Sequence, residues 1–391
     1  MISFLPLLGL LIFAFVPRST YVAVAENKED KQEKVLNDVI DTVGLDDYEK
    51  ILDQLTEEYG IDAVSSVKET VRKIVKGEPV PDSDYFFKLA IEILIGNANG
   101  YLAQAAVILL VAVLLSVLTN LTSGFSTQSV NKIVYVACYG VVVVIALNLT
   151  GSAVKNASET IRHLSRFSEI AFPPLMTVMT ALGSVNAAGL YQPALAFFSV
   201  IVSTIIDKVV LPGFFVCIAL TIVGHINENI KLGKMVKTVR SAVSWCVSFL
   251  FGLLGAVTTA KGIAGAGNDS LIIRSAKNAL SGYVPIVGNY LKDGFDIVVS
   301  SCIVVKNAIG VTAVLLLILV VLSPLLKILL TMLTLRLTAS FAEPFGNTKI
   351  PTMLYDLSDC LKLLVVLLLC AAFTLFIIIM LILLSCNGGV Q

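Results

Sequence analysis

Seven long stretches without any Asp, Glu, Lys or Arg occupy most of the last three-quarters of the chain. They cover residues 93–131, 133–154, 170–206, 209–227, 241–260, 307–326 and 363–391. A helix needs about 20 apolar residues to cross the hydrocarbon core of a bilayer, whereas a surface helix of a soluble domain keeps one polar face. The sequence therefore predicts an all-α, polytopic helical membrane protein with roughly eight or nine helical segments, of which seven or eight cross the membrane.

Charge divides the chain into two parts of opposite sign. Residues 26–95 hold 18 acidic and 9 basic residues, and the remainder holds 10 acidic and 19 basic residues. Binding of nucleic acid requires an excess of Lys and Arg, so this acidic part argues against a nucleic-acid partner. The pattern predicts a small, acidic, helical module at 26–95, outside the cytoplasm, followed by a multi-span membrane domain at 96–391.

The first residues have the features of a secretory signal peptide. Residues 2–16 are apolar, and Ala23-Val24-Ala25 is a small-x-small cleavage pattern, so residues 1–25 are predicted to be a signal peptide. No Lys or Arg precedes the apolar run, which leaves an uncleaved anchor as the alternative. The most basic short loop is 225–240, and the positive-inside rule places it in the cytoplasm.

Proline and charge predict interruptions in several helices. The stretch 152–169 is amphipathic and reads as a helix lying on the membrane surface. Pro173-Pro174 predict an interrupted or re-entrant helix, and Pro324, Lys327 and Arg336 predict a short pair of broken helices between two spans.

Catalytic motifs are absent from the sequence. It contains two separated histidines and no H-E-x-x-H, G-x-S-x-G or P-loop pattern,. Its seven cysteines include no C-x-x-C pair, and buried cysteine usually behaves as a small hydrophobe. We therefore predict a non-enzymatic protein without a metal or other cofactor.

Charged residues within apolar stretches support a second class, a stand-alone secondary transporter of small solutes. An ionisable group in a membrane is costly unless it is paired or hydrated, so it suggests function. Arg336 and Lys327 are the candidates for intramembrane charge, and Arg336 has the less obvious route to water. From physics alone, a transporter and a subunit of a larger assembly are nearly equal alternatives.

The segment 268–310, called the signature segment below, contains a series of motif residues at fixed spacing: Arg274, Ala276, Lys277, Pro285, Gly288, Asp296, Ser300, Lys306, Asn307 and Gly310. On these residues it resembles the stage III sporulation protein AE family, which has an R-x-A-K helix, then F-[IV]-P-[IV]-[LV]-G, a D-x-[IV]-x-S segment and K-N-x-x-G. Tyr283 replaces the usual Phe of that family.

The resemblance implies a membrane subunit, and a candidate pore or permease component, of the channel complex between mother cell and forespore. Such a complex looks like a secretion channel that sustains late forespore gene expression. The implied partners are the other subunits of the stage III sporulation A complex and forespore stage II sporulation protein Q, besides membrane lipid. The implied location is the mother-cell membrane surrounding the forespore.

The signature segment has two interpretations. Asp269 and Ser270 offer an N-cap to a helix from Leu271 to about Leu280, and Gly282 ends it. This piece is either a helix lying at the membrane surface or a hairpin that docks a subunit or lines a conduit. For the second reading, the docking or conduit residues are Arg274, Lys277, Pro285, Gly288, Asp296, Lys306, Asn307 and Gly310.

Overall fold

A computed structural model describes most of the helical part of the chain. The described residues are 29–42, 66–78, 83–123, 128–182, 204–226, 232–256, 288–345 and 349–384, with a few single positions at 45–46, 48–50, 52–53, 184, 189, 193, 198, 200–201 and 259. The predicted signal peptide, 1–25, lies outside them, as do Arg274, Lys277 and Pro285 of the signature segment.

Eight helices make up the described fold. The first two, α1 (Glu29–Thr42) and α2 (Val67–Lys76), belong to the acidic N-terminal part. The remaining six are α3 (Ser83–Ser123), α4 (Gln128–Ala181), α5 (Leu211–Ile226), α6 (Gly233–Ala256), α7 (Gly288–Ala342) and α8 (Lys349–Leu384). A π-helical turn, Ile206–Val210, precedes α5, and a 3-10 turn, Glu343–Phe345, follows α7.

The prediction of an all-α, polytopic membrane protein is confirmed. Each of the six helices α3 to α8 contains an apolar window long enough to cross a bilayer, and no described residue lies in a strand. The helix α7 is central, because it packs against α3, α4 and α8. The sequence predicted seven or eight crossings, more than these six helices. One part of this difference in number lies in 183–203, most of which falls outside the described residues.

The other part of the difference is a wrong prediction around Pro324. Instead of a broken helix pair, α7 continues through Pro324 and Arg336 as a helix of 55 residues. Proline removes one backbone hydrogen bond, but membrane helices tolerate this loss where neighbouring helices surround them. Here Leu325 and Ile328 beside the proline are buried, so packing holds the helix together.

The prediction that 152–169 lies on the membrane surface is also wrong. These residues belong to α4, which runs for 54 residues and passes through Pro173-Pro174. Before Lys155, α4 exposes apolar side chains such as Val141, Val144 and Leu147. From Lys155 onward its exposed face is polar while its other face is buried against the protein. The segment is amphipathic because it packs on the protein's own core.

The helix α2 has well-defined ends that explain its position. Ser66 is the N-cap, and Glu49 accepts hydrogen bonds from the Ser66 hydroxyl at 2.6 Å and the Lys68 N–H at 3.1 Å. Partial burial alone would raise the pKa of Glu49, but these bonds hold it below its ordinary value. Gly77 ends the helix with φ of 71°, a conformation that favours glycine.

The N-terminal helices pack onto the membrane helices. Both α1 and α2 contact α7, and the buried Tyr48 donates its hydroxyl to the carbonyl of Ala171 on α4. Burial raises the pKa of Tyr48, so the hydroxyl remains protonated and able to donate. Since Ala171 lies 16 residues beyond Lys155, this contact lies on the part of α4 with a polar exposed face.

The docked N-terminal part lies far from the basic loop. Tyr135, near the start of α4, donates a hydrogen bond to His225 at the end of α5. Ala171 is 36 residues further along α4, or about 54 Å at 1.5 Å per residue. This exceeds the roughly 30 Å of a hydrocarbon core, so the two parts occupy opposite ends of the helical body. These ends are called the docking end (Ala171) and the loop end (His225).

Replacing Tyr48 by Phe tests this docking. The variant removes one hydrogen bond to the buried Ala171 carbonyl, which keeps the bond from the Leu175 N–H within α4, so the net cost is about 0.5–1.5 kcal/mol. We expect cleavage of the N-terminal part by an added protease to become several-fold faster, up to about tenfold. Asp53→Asn, an exposed change on the same segment, is the control and should leave the rate unchanged. Equal rates in wild type and Tyr48→Phe would contradict the contact.

Candidate functional site

A network of charged side chains joins α6, α7 and α8 near the loop end. Asp359 of α8 accepts from Arg336 of α7 at 2.8 Å, Arg240 of α6 at 3.2 Å and Lys362 of its own helix at 2.5 Å. The Asp359 side chain is only 18% exposed. We call these four residues the Asp359 network. One carboxylate therefore compensates three cations drawn from three helices.

Arg336 is held by more than its ion pair. Its Nε donates to the Ser358 hydroxyl at 3.1 Å, and that hydroxyl donates to the Met332 carbonyl at 3.1 Å. Its guanidinium also lies 5.0 Å from the ring centroid of Tyr355, a cation–π distance. The planar guanidinium suits these simultaneous contacts, and they fix how α7 and α8 pack.

A second acid–base pair lies beside the network. The Nε2 atom of His225 is 3.6 Å from the Asp356 carboxylate, and Nδ1 is 2.7 Å from the Thr221 carbonyl. A carbonyl only accepts, so Nδ1 carries a proton. Neutral imidazole would then present a lone pair at Nε2 to the carboxylate. His225 and Asp356 therefore form a second acid–base contact, between α5 and α8.

Tyrosines of α4 position this end of α5. Tyr139 donates to the Ile222 carbonyl at 2.7 Å, and Tyr135 donates to the His225 carbonyl at 3.3 Å. The last four carbonyls of a helix have no partner within the helix, so the Tyr135 bond satisfies a carbonyl at the end of α5, and the Tyr139 bond adds a second contact about one turn earlier. Lys349, at the start of α8, lies over the Tyr135 ring. The ends of three helices therefore meet here.

A different contact holds the far end of α8. Lys306 of α7 is fully buried and donates to the Leu383 carbonyl at 3.0 Å, which places a cation at a helix C-terminus, where it is favourable. At Gly310 an added Cβ would collide with Leu383, whose Cγ would lie 2.8 Å away. We call Lys306, Gly310 and Leu383 the α8 clamp.

The residues predicted from the signature segment are therefore distributed along α7. Lys306, Asn307 and Gly310 lie at the α8 clamp, and the buried Asn307 Oδ1 has no hydrogen-bond partner among the described residues. Gly288 begins α7 and Asp296 lies two turns later; nothing further is described for the Asp296 side chain. Arg274, Lys277 and Pro285 fall outside the described residues.

The two candidates for intramembrane charge take different places. Arg336 belongs to the Asp359 network, about 45 Å along α7 from Lys306. Lys327 lies nine residues before Arg336, and its carbonyl accepts hydrogen bonds from Tyr101 at 3.4 Å and Thr331 at 2.9 Å. Lys327 is not part of the Asp359 network. Arg336 instead contacts Ser358, Asp359 and Tyr355 of α8.

Sequence reasoning missed the centre of the network. Asp359 was not singled out, because acidic residues at the start of an apolar helix are common interfacial groups. A signal was present, however: after residue 300 the chain has only Glu343, Asp356 and Asp359 as carboxylates. An intramembrane arginine needs a partner, so Arg336 could have been matched to this short set.

No group of three or more His, Cys, Asp or Glu side chains suited to a metal occurs among the described residues. The described side chains therefore point to charge compensation and helix packing. The fold and the site together define a multi-pass helical membrane protein with a small docked N-terminal part and a half-buried charge network.

Comparison with known proteins gives the family. The family model for stage III sporulation protein AE matches residues 65–386, and the chain belongs to that family. It is 25% identical over 358 residues to stage III sporulation protein AE of Bacillus subtilis (strain 168), covering 89% of this chain and 88% of the relative. No solved structure matches. The resemblance seen in the signature segment is confirmed, and the chain is a sporulation-related membrane protein.

Proposed function

We propose that this protein is a membrane subunit of the channel complex that links mother cell and forespore and supports late forespore gene expression. Membership of the stage III sporulation protein AE family is the observation that carries the proposal. The partners we propose are the other stage III sporulation A subunits and forespore stage II sporulation protein Q. The proposed location is the mother-cell membrane around the forespore, and the proposed role is non-enzymatic.

The arrangement of helix ends supports a docking role for the signature segment. The helix α6 runs away from Arg240 toward the docking end, and α7 begins at Gly288, about 72 Å along its axis from Arg336. Residues 257–287 connect these two ends. We therefore propose that Arg274, Lys277 and Pro285 lie on the same side of the membrane as the N-terminal module. On that side they could bind a protein of the facing membrane.

Orientation can be measured directly. In intact non-sporulating cells that express the protein, we expect a cysteine at Glu78 to react with a membrane-impermeant maleimide, and a cysteine at Lys234 to react only after permeabilisation, because cations favour the cytoplasmic side. Both positions are exposed, and the seven native cysteines would first be replaced. Reaction of both positions from the same side would contradict the proposed topology.

The functional proposal is tested by changing signature residues that have no described structural role. Arg274→Ala and Asp296→Ala are each expected to abolish late forespore gene expression, measured with a forespore reporter, while the protein level and membrane insertion remain normal. If these groups were only interfacial anchors, each change would cost about 1 kcal/mol or less and be tolerated. Arg166→Ala, on the exposed face of α4, is the control. Normal reporter activity in both variants would refute the docking role.

The Asp359 network favours the second candidate, a secondary transporter. Around Arg336, α7 exposes Leu333, Leu337 and Phe341, which supports a position of the network beside lipid, where charge is costly and usually functional. Reconstitution of the purified protein alone separates the two proposals. Solute flux without partner proteins would support a transporter, and flux that requires the partner subunits would support a channel subunit.

A further inference from the structure

The helix α6 lies at the edge of the bundle and has one buried and one exposed face. Val236, Val243, Val247 and Phe251 are buried. This face packs closely on α5, since a Cβ added at Gly213 would lie only 2.5 Å from Val243 Cγ2. The opposite face is exposed and includes Lys234, Lys237, Thr238, Ser241, Ala242, Trp245 and Phe249.

The side chains of this exposed face change from polar to apolar along α6, from Lys234 toward Leu253. Lysines and hydroxyls come first, then Trp245, which is 69% exposed and stacked on Phe249 at 5.3 Å, and then Leu253. Tryptophan prefers the level of lipid headgroups, so Trp245 marks the boundary between headgroups and acyl chains. A shallow, open depression of this face, called the groove below, crosses that boundary and is lined by Lys237, Thr238, Ser241, Ala242 and Trp245, all of α6.

Positive charge is in excess beside this groove. The first two turns of α6 carry Lys234, Lys237 and Arg240 and no carboxylate. Asp359, which pairs with Arg240, already compensates Arg336 and Lys362. The remaining carboxylate, Asp356, faces His225 and also interacts electrostatically with Lys237 and Arg240, so two carboxylates stand against the five cations Lys234, Lys237, Arg240, Arg336 and Lys362. An excess of cations at the edge of a membrane is stabilised by anions, and anionic headgroups supply them.

We propose that this groove binds the headgroup of an anionic phospholipid in the leaflet at the loop end. The Lys237 ammonium and the Ser241 hydroxyl would bind the phosphate, and one acyl chain would pack along Trp245 and Phe249. The Thr238 hydroxyl already donates to the Lys234 carbonyl at 3.0 Å, so it lines the groove without serving as the main donor. A zwitterionic headgroup fits less well, because its own cation would lie close to Lys237.

Trp245 allows a direct test, because it is the single tryptophan of the chain. The full protein is placed in nanodiscs of phosphatidylcholine containing a small fraction of lipid with brominated acyl chains, which quench tryptophan fluorescence on contact. Brominated phosphatidylglycerol is compared with brominated phosphatidylcholine at the same mole fraction. We expect about fivefold greater occupancy next to Trp245 for the anionic lipid at low salt, decreasing as salt is added.

Two variants distinguish binding of the lipid in the groove from general attraction by positive surface charge. Lys237→Gln should lower quenching by phosphatidylglycerol to the phosphatidylcholine level. Lys234→Gln removes an equal charge one turn earlier, outside the groove, and should leave most of the preference. Equal quenching by the two lipids in wild type would overturn the proposal, as would equal losses in both variants. Absence of quenching by either lipid would also overturn it, since a protein surface would then cover Trp245.

Discussion

Asp359→Asn is expected to lower the free energy of unfolding by about 1–3 kcal/mol, because the network is partly buried and the cost lies between that of breaking an exposed and a fully buried ion pair. The change keeps the size of the side chain but places an amide next to Arg240, Arg336 and Lys362 without a compensating charge. Apparent melting temperature in detergent, followed by the amount of monodisperse protein left after heating, measures the loss.

A matched change one turn away provides the control. Asp356→Asn removes a carboxylate that is 36% exposed and lies 3.6 Å from His225, so it should cost less than about 1 kcal/mol. In the Asp359→Asn background, the additional change Arg240→Gln should restore part of the stability, because it removes one uncompensated cation. Equal losses for Asp356→Asn and Asp359→Asn would contradict a network centred on Asp359.

Gly310→Ala is expected to destabilise the protein by about 1–3 kcal/mol, the usual cost of overpacking a filled interior. The new methyl group would collide with the side chain of Leu383, and the buried position leaves no direction in which it can turn away. Because Leu383 also receives the bond from Lys306, movement of α8 would disturb that contact as well. The same thermal measurement applies.

The opposite sign is expected at a glycine with space around it. Gly151 lies within α4 with nothing within 4 Å of an added Cβ, so Gly151→Ala should stabilise the helix by about 0.5–1 kcal/mol. Combining Gly310→Ala with Leu383→Ala should recover part of the loss at Gly310, since the colliding atoms are removed. A Gly310→Ala protein as stable as wild type would rule out the close approach of α7 and α8.

Properties that depend on a continuous stretch of chain were readable from the sequence. The uncharged runs 241–260 and 363–391 predicted membrane helices because charge within the hydrocarbon core is costly and a helix satisfies its own backbone there. The composition of 26–95 is that of an acidic N-terminal part, although α3 already begins within it at Ser83. The motif residues from Arg274 to Gly310 identified the family, since their order and spacing are themselves sequence properties.

Local rules failed where packing supplied the missing stabilisation. Pro324 was expected to break a helix, and the charged face after Lys155 was expected to lie on lipid. Each expectation considered one helix in isolation. In the structure, α7 and α4 pack against neighbouring helices that are distant in sequence.

What the sequence by itself determined about this protein is its class, its acidic N-terminal part and its family. Only the tertiary structure decided which charges meet. Asp359 and Arg240 are 119 positions apart, and Lys306 reaches a carbonyl 77 positions away. A hydrogen bond or ion pair depends on separations of about 3 Å in space, and no local pattern of residues reports such a separation across different helices.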